Sequence, residues 1–290
     1  MKRVVILAIL ILPNFFAWNY VVRENSRDLL TLAFMNVGQG DSIFIEAPNG
    51  NQIIIDSGPN ESVIRQISAQ MPSYDRTIDA HITTHPDLDH IGGTPAILER
   101  YNVGEYFYSS TDEKSGAVER VDETVISRNI ATSSLHAGDK IILDKNRGVY
   151  LEVLWPPTQY ESKDKNDFSI VARLVYGEVS AMLTGDASTL IEKIIASGFN
   201  STKLKSNILK LGHHGSKTAT SENFLKIVAP DYAIISAGTD NKYNHPSPEI
   251  VEKVVKHFQE QNKNPATQIL KTTDGSVVFK SDGHALWVIK

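Results

Sequence analysis

From about Leu30 onward, apolar and polar positions alternate in short blocks. "LLTLAFMNV" and "SIFIEAP" have the apolar, period-two character of strands and are joined by "GQGD". "NQIIIDSG" follows the turn at Pro48-Asn49-Gly50 as a third strand. A helix is expected from about Ser62 to Gln70, stopped by Pro72. "DAHITTH" reads as a strand, and "TPAILERY" as a helix with Thr94 at its cap and Pro95 at its first turn. A weaker, polar helix is expected over 114–128. "KIILD" and "VYLEVLWPP" are strands, followed by the polar loop "TQYESKDKND", a candidate mobile flap. "SIVARLVYG" and "VSAMLTGD" form a hairpin around Gly177-Glu178, and "ASTLIEKIIASG" has helical periodicity with a glycine stop. "NILKLGHHG", "SENFLKIVA", "DYAIISAG" and "SPEIVEKVVKHFQEQ" continue as strand, helix, strand, helix. "TQILKTT", "GSVVFKS" and "HALWVIK" close the chain as strands. Both halves run from strands into helices, which predicts two sheets packed on each other with helices outside, in one domain.

The first 25 residues break this pattern. In "MKRVVILAILILPNFFAWNY" Lys2 and Arg3 precede an apolar run from Val4 to Leu12, interrupted by Pro13-Asn14. Positive charge followed by a short apolar segment is the layout of an export signal or an uncleaved anchor. The run is shorter than the ~20 residues of a comfortable membrane span, and no A-x-A cleavage site is evident. Residues 1–25 are therefore expected to be a signal peptide or membrane anchor. Residues 26–290 are the expected folded domain, outside the cytoplasm, membrane-anchored or secreted.

Composition narrows the chemistry. The 290 residues are 41% hydrophobic and carry a net charge of −5, enough for a sizeable core and too acidic for a generally basic nucleic-acid binder. There is no cysteine, which excludes disulfides, zinc–thiolate sites and thiol nucleophiles. Four polar clusters remain, each ending an apolar strand: Asp56 after "QIII"; His85, Asp87, Asp89 and His90 in "THPDLDHIGG"; Asp186 after "SAMLTG"; and His213-His214 after "ILKLG". Alone, Asp56 or Asp186 reads as a helix cap, and His-His-Gly as a loop. Together, at strand ends where ligands collect in α/β layer structures, they read as one convergent site. Crowded carboxylates repel unless a cation lies between them, and imidazole and carboxylate together suit zinc, manganese or iron. His85 and Asp87, two apart in an extended segment, point the same way. Asp89 and His90 are placed to serve a second ion, and a bridge through Asp186 would complete a hydrolytic centre with ions ~3.5–4 Å apart. Gly92 and Gly93 are expected to let the chain turn tightly into the next helix.

The order strand-ending Asp, H-x-H-x-D-H-like motif, later Asp and later His resembles the metallo-β-lactamase superfamily. "FMNVGQGDSIFIEAPNGNQIIIDSG", "THPDLDHIGG", "LTGDA", "LKLGHHGSKTATSENFL" and "AIISAGTDNKYNHPSPE" resemble more closely the hydrolase domain of ComEC-type DNA-uptake proteins and its stand-alone relatives. The likeness runs from about Leu30 to the C-terminus. It implies a four-layer αββα sandwich and a divalent metal site of one or two ions, zinc or manganese, with magnesium also compatible. It implies His85 and Asp87 on the first ion, Asp89 and His90 on the second, Asp186 as bridge and Asp56 as a buried support. His213, His214 and His245 are the remaining ligand and proton-handling candidates, with His213 and His245 as the candidate ligands and Asp89 also catalytic. Two positions depart from the pattern. Asp87 stands where many members carry histidine, and the histidine usual between the second and last motifs has no counterpart; Asn166, Asp167 or Ser169 lies in that region. Both changes exchange imidazole for oxygen and favour harder ions.

The leading expectation is a metal-dependent phosphodiesterase or nuclease acting on DNA. Ser216 and Lys217 are candidate substrate contacts, because "HHGSKTATSE" runs into a helix N-terminus where free N–H groups favour phosphate. Lys203, Lys205 and Lys210 would add local positive charge, or form an ordinary solvated face. Another hydrolytic substrate (a lactone, a β-lactam or a small phosphodiester) and a non-catalytic tethered binding module are the alternatives.

Overall fold

The computed structural model describes residues 29–111, 113–239 and 241–289. The expected leader, residues 1–25, lies outside them. Among the described residues no helix is long and apolar enough to cross a membrane.

Among the described residues fifteen strands run in chain order: β1 (Leu30–Phe34), β2 (Ile43–Glu46), β3 (Gln52–Ile55), β4 (Thr77–Thr83), β5 (Asn102–Tyr108), β6 (Ala131–Ser134), β7 (Lys140–Asp144), β8 (Val149–Trp155), β9 (Val171–Tyr176), β10 (Val179–Leu183), β11 (Ile208–Lys210), β12 (Tyr232–Ile235), β13 (Ile269–Lys271), β14 (Val277–Ser281) and β15 (Leu286–Ile289). They form an eight-stranded sheet, β15-β14-β1-β2-β3-β4-β5-β6, and a seven-stranded sheet, β13-β12-β11-β10-β9-β8-β7. β5 and β6 escape a reading by apolar pattern. "NVGEYFY" alternates weakly and "ATSS" is polar, yet β5 pairs in parallel with both β4 and β6.

The strand faces explain the layers. Leu32, Phe34, Ile45, Ile53, Ile55 and Ile82 of the first sheet pack against Leu151, Val153, Leu174, Ala181, Leu183 and Ile208 of the second, all buried in one cluster. Successive strand residues point to opposite faces, so Ala33, Phe44, Ile54 and Ile78 point outward from the first sheet. There they meet Val63 and Ile67 of the helix Val63–Gln70 and Ile97 of the helix Thr94–Arg100. Met182, Leu209, Ala233 and Ile235 do the same on the second sheet against Ile191, Phe224, Leu225, Ile250 and Phe258. The order is helix, sheet, sheet, helix, as expected.

Topology places the site. β3, β4 and β5 are parallel, as are β10, β11 and β12. Asp56, Thr84-His85, Asp186 and His213-His214 all follow the C-terminal ends of such strands. The Gly92-Gly93 pair acts differently from the expectation. Gly92 has φ −61° and Gly93 φ −88°, conformations open to any residue. Their requirement is close approach: a Cβ would meet the Pro59 carbonyl oxygen at 2.1 Å from Gly92 and the Ser57 carbonyl oxygen at 2.5 Å from Gly93. The motif loop is thus clamped onto the segment that carries Asp56.

Candidate metal centre

Asp56 is buried at the end of β3 and sits in the left-handed region at φ 58°. Non-glycine residues occupy that region sparingly, and its cost is borne most often at functional positions. Its Oδ1 accepts from the Thr84 N–H at 2.7 Å, and its Oδ2 from the Thr84 hydroxyl at 2.7 Å and His90 Nδ1 at 2.8 Å. The Thr84 proton is therefore spent on Asp56, and Thr84 Oγ1 accepts from His85 Nδ1 at 3.2 Å. On the other sheet, His214 Nδ1 donates to the Ser236 carbonyl at 2.8 Å. Each ring has committed Nδ1 to an acceptor, which fixes the tautomer and leaves Nε2 of His85, His90 and His214 as lone-pair donors facing inward.

These nitrogens surround Asp186. His90 Nε2 lies 3.4 Å from Asp186 Oδ1, while His214 Nε2, His213 Nε2 and His85 Nε2 lie 3.4, 3.7 and 3.9 Å from Oδ2. Asp89 joins at 3.4 Å from His214 Nε2, and Asp87 at 3.8 Å from His85 Nε2. Of the expected candidates, His85, Asp87, Asp89, His90, His213 and His214 thus gather around Asp186, while His245 stands outside this group with its ring against those of His213 and His214.

The donors fit a divalent cation. His90 Nε2 and His214 Nε2 face each other at 3.3 Å, a contact two lone pairs do not tolerate without a proton or cation between them. His85 Nε2 and Asp186 Oδ1 are buried with no hydrogen-bond partner, a state that ordinarily costs free energy. Burial alone would lower the pKa of His90 and His214. The Asp186 carboxylate, with Asp56 at His90 and Asp41 at His214, overrides it, so His90 is raised well above the ordinary range and His214 to about 9. His85 goes the other way, neutral through burial and the His90 charge. Burial works against the charge on Asp186, but the adjoining imidazoles hold its carboxyl well below the usual range. Ring protons and a metal ion are interchangeable counter-charges for such a carboxylate set.

Sequence reasoning missed Asp41. One donor atom each from Asp41, His90, Asp186 and His214 lie within 4.8 Å of one another. Asp41, however, faces the Nδ1 side of His214 at 3.4 Å, and its other oxygen pairs with Lys210 Nζ at 2.6 Å. It lies behind His214, as Asp56 lies behind His90, and it positions the ring. Gly40 lets this loop approach: at φ 125° it has the Asp89 carbonyl 2.1 Å from where a Cβ would be. The signal available in sequence was Lys210, a lone cation inside the apolar run "NILKLG". A lysine there needs a buried carboxylate.

Several expectations change. Lys210 is fully buried and belongs to no surface charge patch, and Lys203 pairs with Glu152 at 2.9 Å. The helix after "HHGSKTATSE", Glu222–Val228, does not offer its approach to phosphate: the buried Glu192 already accepts from the Thr220 and Ser221 N–H groups at 2.6 and 2.7 Å. Ser216 is buried, its hydroxyl accepting from Thr218 Oγ1 at 3.1 Å, and Thr218 Oγ1 contacts His213 Nδ1 at 3.0 Å. Ser216 therefore braces His213, while Lys217 is exposed. His245 packs against His213 with ring centroids 5.4 Å apart, at the outer side of the cluster. In the region of the missing histidine, Asp167 accepts from the Ser162 and Ser188 hydroxyls, which ties the polar loop down. Ser169 accepts from the Asp186 N–H at 3.1 Å, and Lys165 reaches from the same loop to pair with Asp87.

Asp56→Asn should lower metal affinity roughly 10- to 100-fold, because the neutral amide no longer sets the His90 tautomer. Competition with a chromophoric chelator reads this directly, and unchanged affinity would show that Asp56 serves only packing.

Comparison with known proteins bears on the family and the fold. The model of the family described as the metallo-beta-lactamase superfamily matches residues 35–239. ComE operon protein 3 of Bacillus subtilis is 29% identical over 240 residues, covering 77% of this chain and 30% of that protein. Recombination protein 2 of Haemophilus influenzae is 30% identical over 224 residues, covering 76% of this chain and 26% of that protein. The chain spans about a third of the length of such relatives or less. The crystal structure of the metallo-beta-lactamase fold protein YhfI from Bacillus subtilis superposes with a TM-score of 0.57 at 9% identity, covering 87% of this chain and 100% of that one, a likeness of fold alone.

Proposed function

The chain belongs to the metallo-beta-lactamase superfamily, and on that premise we propose that it is a metal-dependent phosphodiesterase or nuclease acting on DNA outside the cytoplasm, held at the membrane or exported by residues 1–25. The observation that carries this reading is the mixed donor set: Asp87, Asp89 and Asp186 beside His85, His90 and His214, more oxygen-rich than an imidazole-only zinc site. Such a set suits manganese or zinc, with magnesium compatible. Relatives named for competence and for recombination support DNA as the substrate.

Those six residues would hold the ion or ions. A divalent ion there supplies Lewis-acid activation of water and neutralises charge on the phosphate. The remaining work falls to the protein. His213 is partly exposed at the rim, with Nδ1 on Thr218 Oγ1 and Nε2 directed at Asp186. Burial, only partly offset by Asp186, keeps its pKa below the ordinary histidine value, so the ring is neutral near pH 7. It takes up at Nε2 the proton that the attacking water releases and returns it to the leaving alkoxide. Asp41, Asp56 and Ser216 hold the rings in place.

Purified chain supplied with manganese should cleave single- or double-stranded DNA, and a chelator should abolish cleavage. Hydrolysis of a lactone or β-lactam but not DNA would replace DNA with that substrate, and bound metal without turnover on any of them would leave a binding module.

A further inference from the structure

A cavity of about 650 Å³ opens beside His85. That volume lies within the range of small-ligand pockets, and the mechanism above leaves it without a use. One wall is aromatic. Tyr106 and Tyr108 project from the same face of β5, with ring centroids 6.1 Å apart and planes within 25°. Tyr106 is buried and anchored through its hydroxyl to Thr83 Oγ1 at 2.9 Å, so it is a fixed backing, while Tyr108 is 39% exposed in front of it. Tyr108 pairs across the sheet with Thr83, two residues before His85, which sets the shelf at the edge of the metal cluster. The opposite wall is aliphatic: Val118, Val125 and Ile126 of the helix Gly116–Arg128, whose Ile126 is 78% exposed. Of the charged residues in the lining three are acidic, Glu113, Glu119 and Asp122, against Lys114, and hydroxyls such as Ser109 and Thr111 complete the polar part.

This combination discriminates. Three carboxylates repel a phosphate and accept hydrogen bonds from N–H groups, and an aromatic shelf opposite an aliphatic wall suits a flat ring. We propose that the cavity is a base subsite. It takes the heterocyclic base of the nucleotide whose phosphate lies at the Asp186 cluster, with Tyr108 stacked on the ring and the carboxylates accepting from its amino and imino groups. The inference rests on the phosphodiesterase reading for its substrate, and it orients that substrate, base toward Tyr108 and phosphate toward His85.

Two measurements test it independently of turnover and through turnover. By calorimetry with manganese present, the unmodified chain should bind deoxyadenosine 5′-monophosphate more tightly than deoxyribose 5-phosphate. Tyr108→Ala should remove roughly tenfold of that preference, the scale of one base–aromatic stack, and Tyr108→Phe should keep it. In kinetics, Tyr108→Ala should raise KM roughly tenfold for the p-nitrophenyl ester of deoxyadenosine 5′-monophosphate, leaving methyl p-nitrophenyl phosphate, which has no base, unchanged. Equal affinity for the two monophosphates, or an equal loss on both esters, overturns the subsite. If neither ester is hydrolysed while the Tyr108-dependent binding preference persists, the phosphodiesterase reading fails and the base pocket stands.

Discussion

Asp186→Asn should lower kcat/KM for DNA by roughly 10³-fold, the upper end for loss of one preorganised electrostatic group, and strip metal from the purified protein. The geometry makes this the most sensitive single position at the centre. Asp186 is the only carboxylate among the described residues with four imidazoles within 4 Å: His90 and His214 at 3.4 Å, His213 at 3.7 Å and His85 at 3.9 Å. Asparagine has nearly the same shape, so the strand end after β10 should fold as before, and an unchanged circular dichroism spectrum would establish that. What it loses is the negative charge that holds these rings together and attracts the cation. Elemental analysis of wild type and variant, prepared in parallel without chelator, should show reduced metal occupancy. Asp89→Ala, which deletes the carboxylate 3.4 Å from His214 Nε2, should act in the same direction. An Asp186→Asn protein that keeps its metal and loses less than tenfold in rate would remove Asp186 from the role of bridge.

The parts of this centre legible in the sequence share a physical reason. Asp56, the motif His85 to His90, Asp186 and the His213-His214 pair are metal-ligating types that follow apolar strands; which histidine of the pair turns inward was not legible, since His213 and His245 were the expected ligands and His214 Nε2 lies nearer to Asp186, at 3.4 Å against 3.7 Å for His213. A strand end is visible in the hydrophobic pattern, and the parallel topology turns chain order into spatial convergence. What was hidden depended on tertiary partners. Asp41 sits in a glycine loop and looks like any turn acid until Lys210 and His214 are seen around it. Lys210 and Glu192 carry charges that composition assigns to the surface, and each is buried because a specific partner accepts it. The strands "NVGEYFY" and "ATSS" lack strong alternation, because β6 is an edge strand and β5 faces a cavity as well as a core. Tyr108 was silent for the same reason: its use depends on a helix that covers β5 from 116–128.

Lys210→Met should destabilise the fold by roughly 3–5 kcal/mol, the cost of breaking a buried ion pair, against a total of about 5–15 kcal/mol for a domain. Lys210 Nζ is buried and has its donors placed on the Gly185 carbonyl at 3.0 Å, the Leu211 carbonyl at 3.1 Å and Asp41 Oδ2 at 2.6 Å. Methionine fills the volume and supplies none of these, so the buried Asp41 keeps only the imidazoles of His214 and His90 to offset its charge. The pH dependence identifies the cause. Burial alone would raise the Asp41 carboxyl, but Lys210 and His214 more than offset it and lower it from 3.8 to about 2. A depressed carboxylate contributes stability that is present above its unfolded pKa and lost as pH falls through the folded value, here from about 4 toward about 2. Without Lys210, burial, the largest influence on Asp41, is offset only by the histidines, and its folded-state pKa rises. The variant then gains stability relative to wild type as acid protonates Asp41, and the gap between them closes as pH falls toward 4. Urea unfolding at pH 7 and pH 4.5 reads both arms. The double variant Asp41→Asn/Lys210→Met should recover part of the loss at pH 7, because it removes the unpaired charge along with its partner. A gap independent of pH, with no recovery in the double variant, would locate the cost in packing around Lys210 and not in the pair that holds His214.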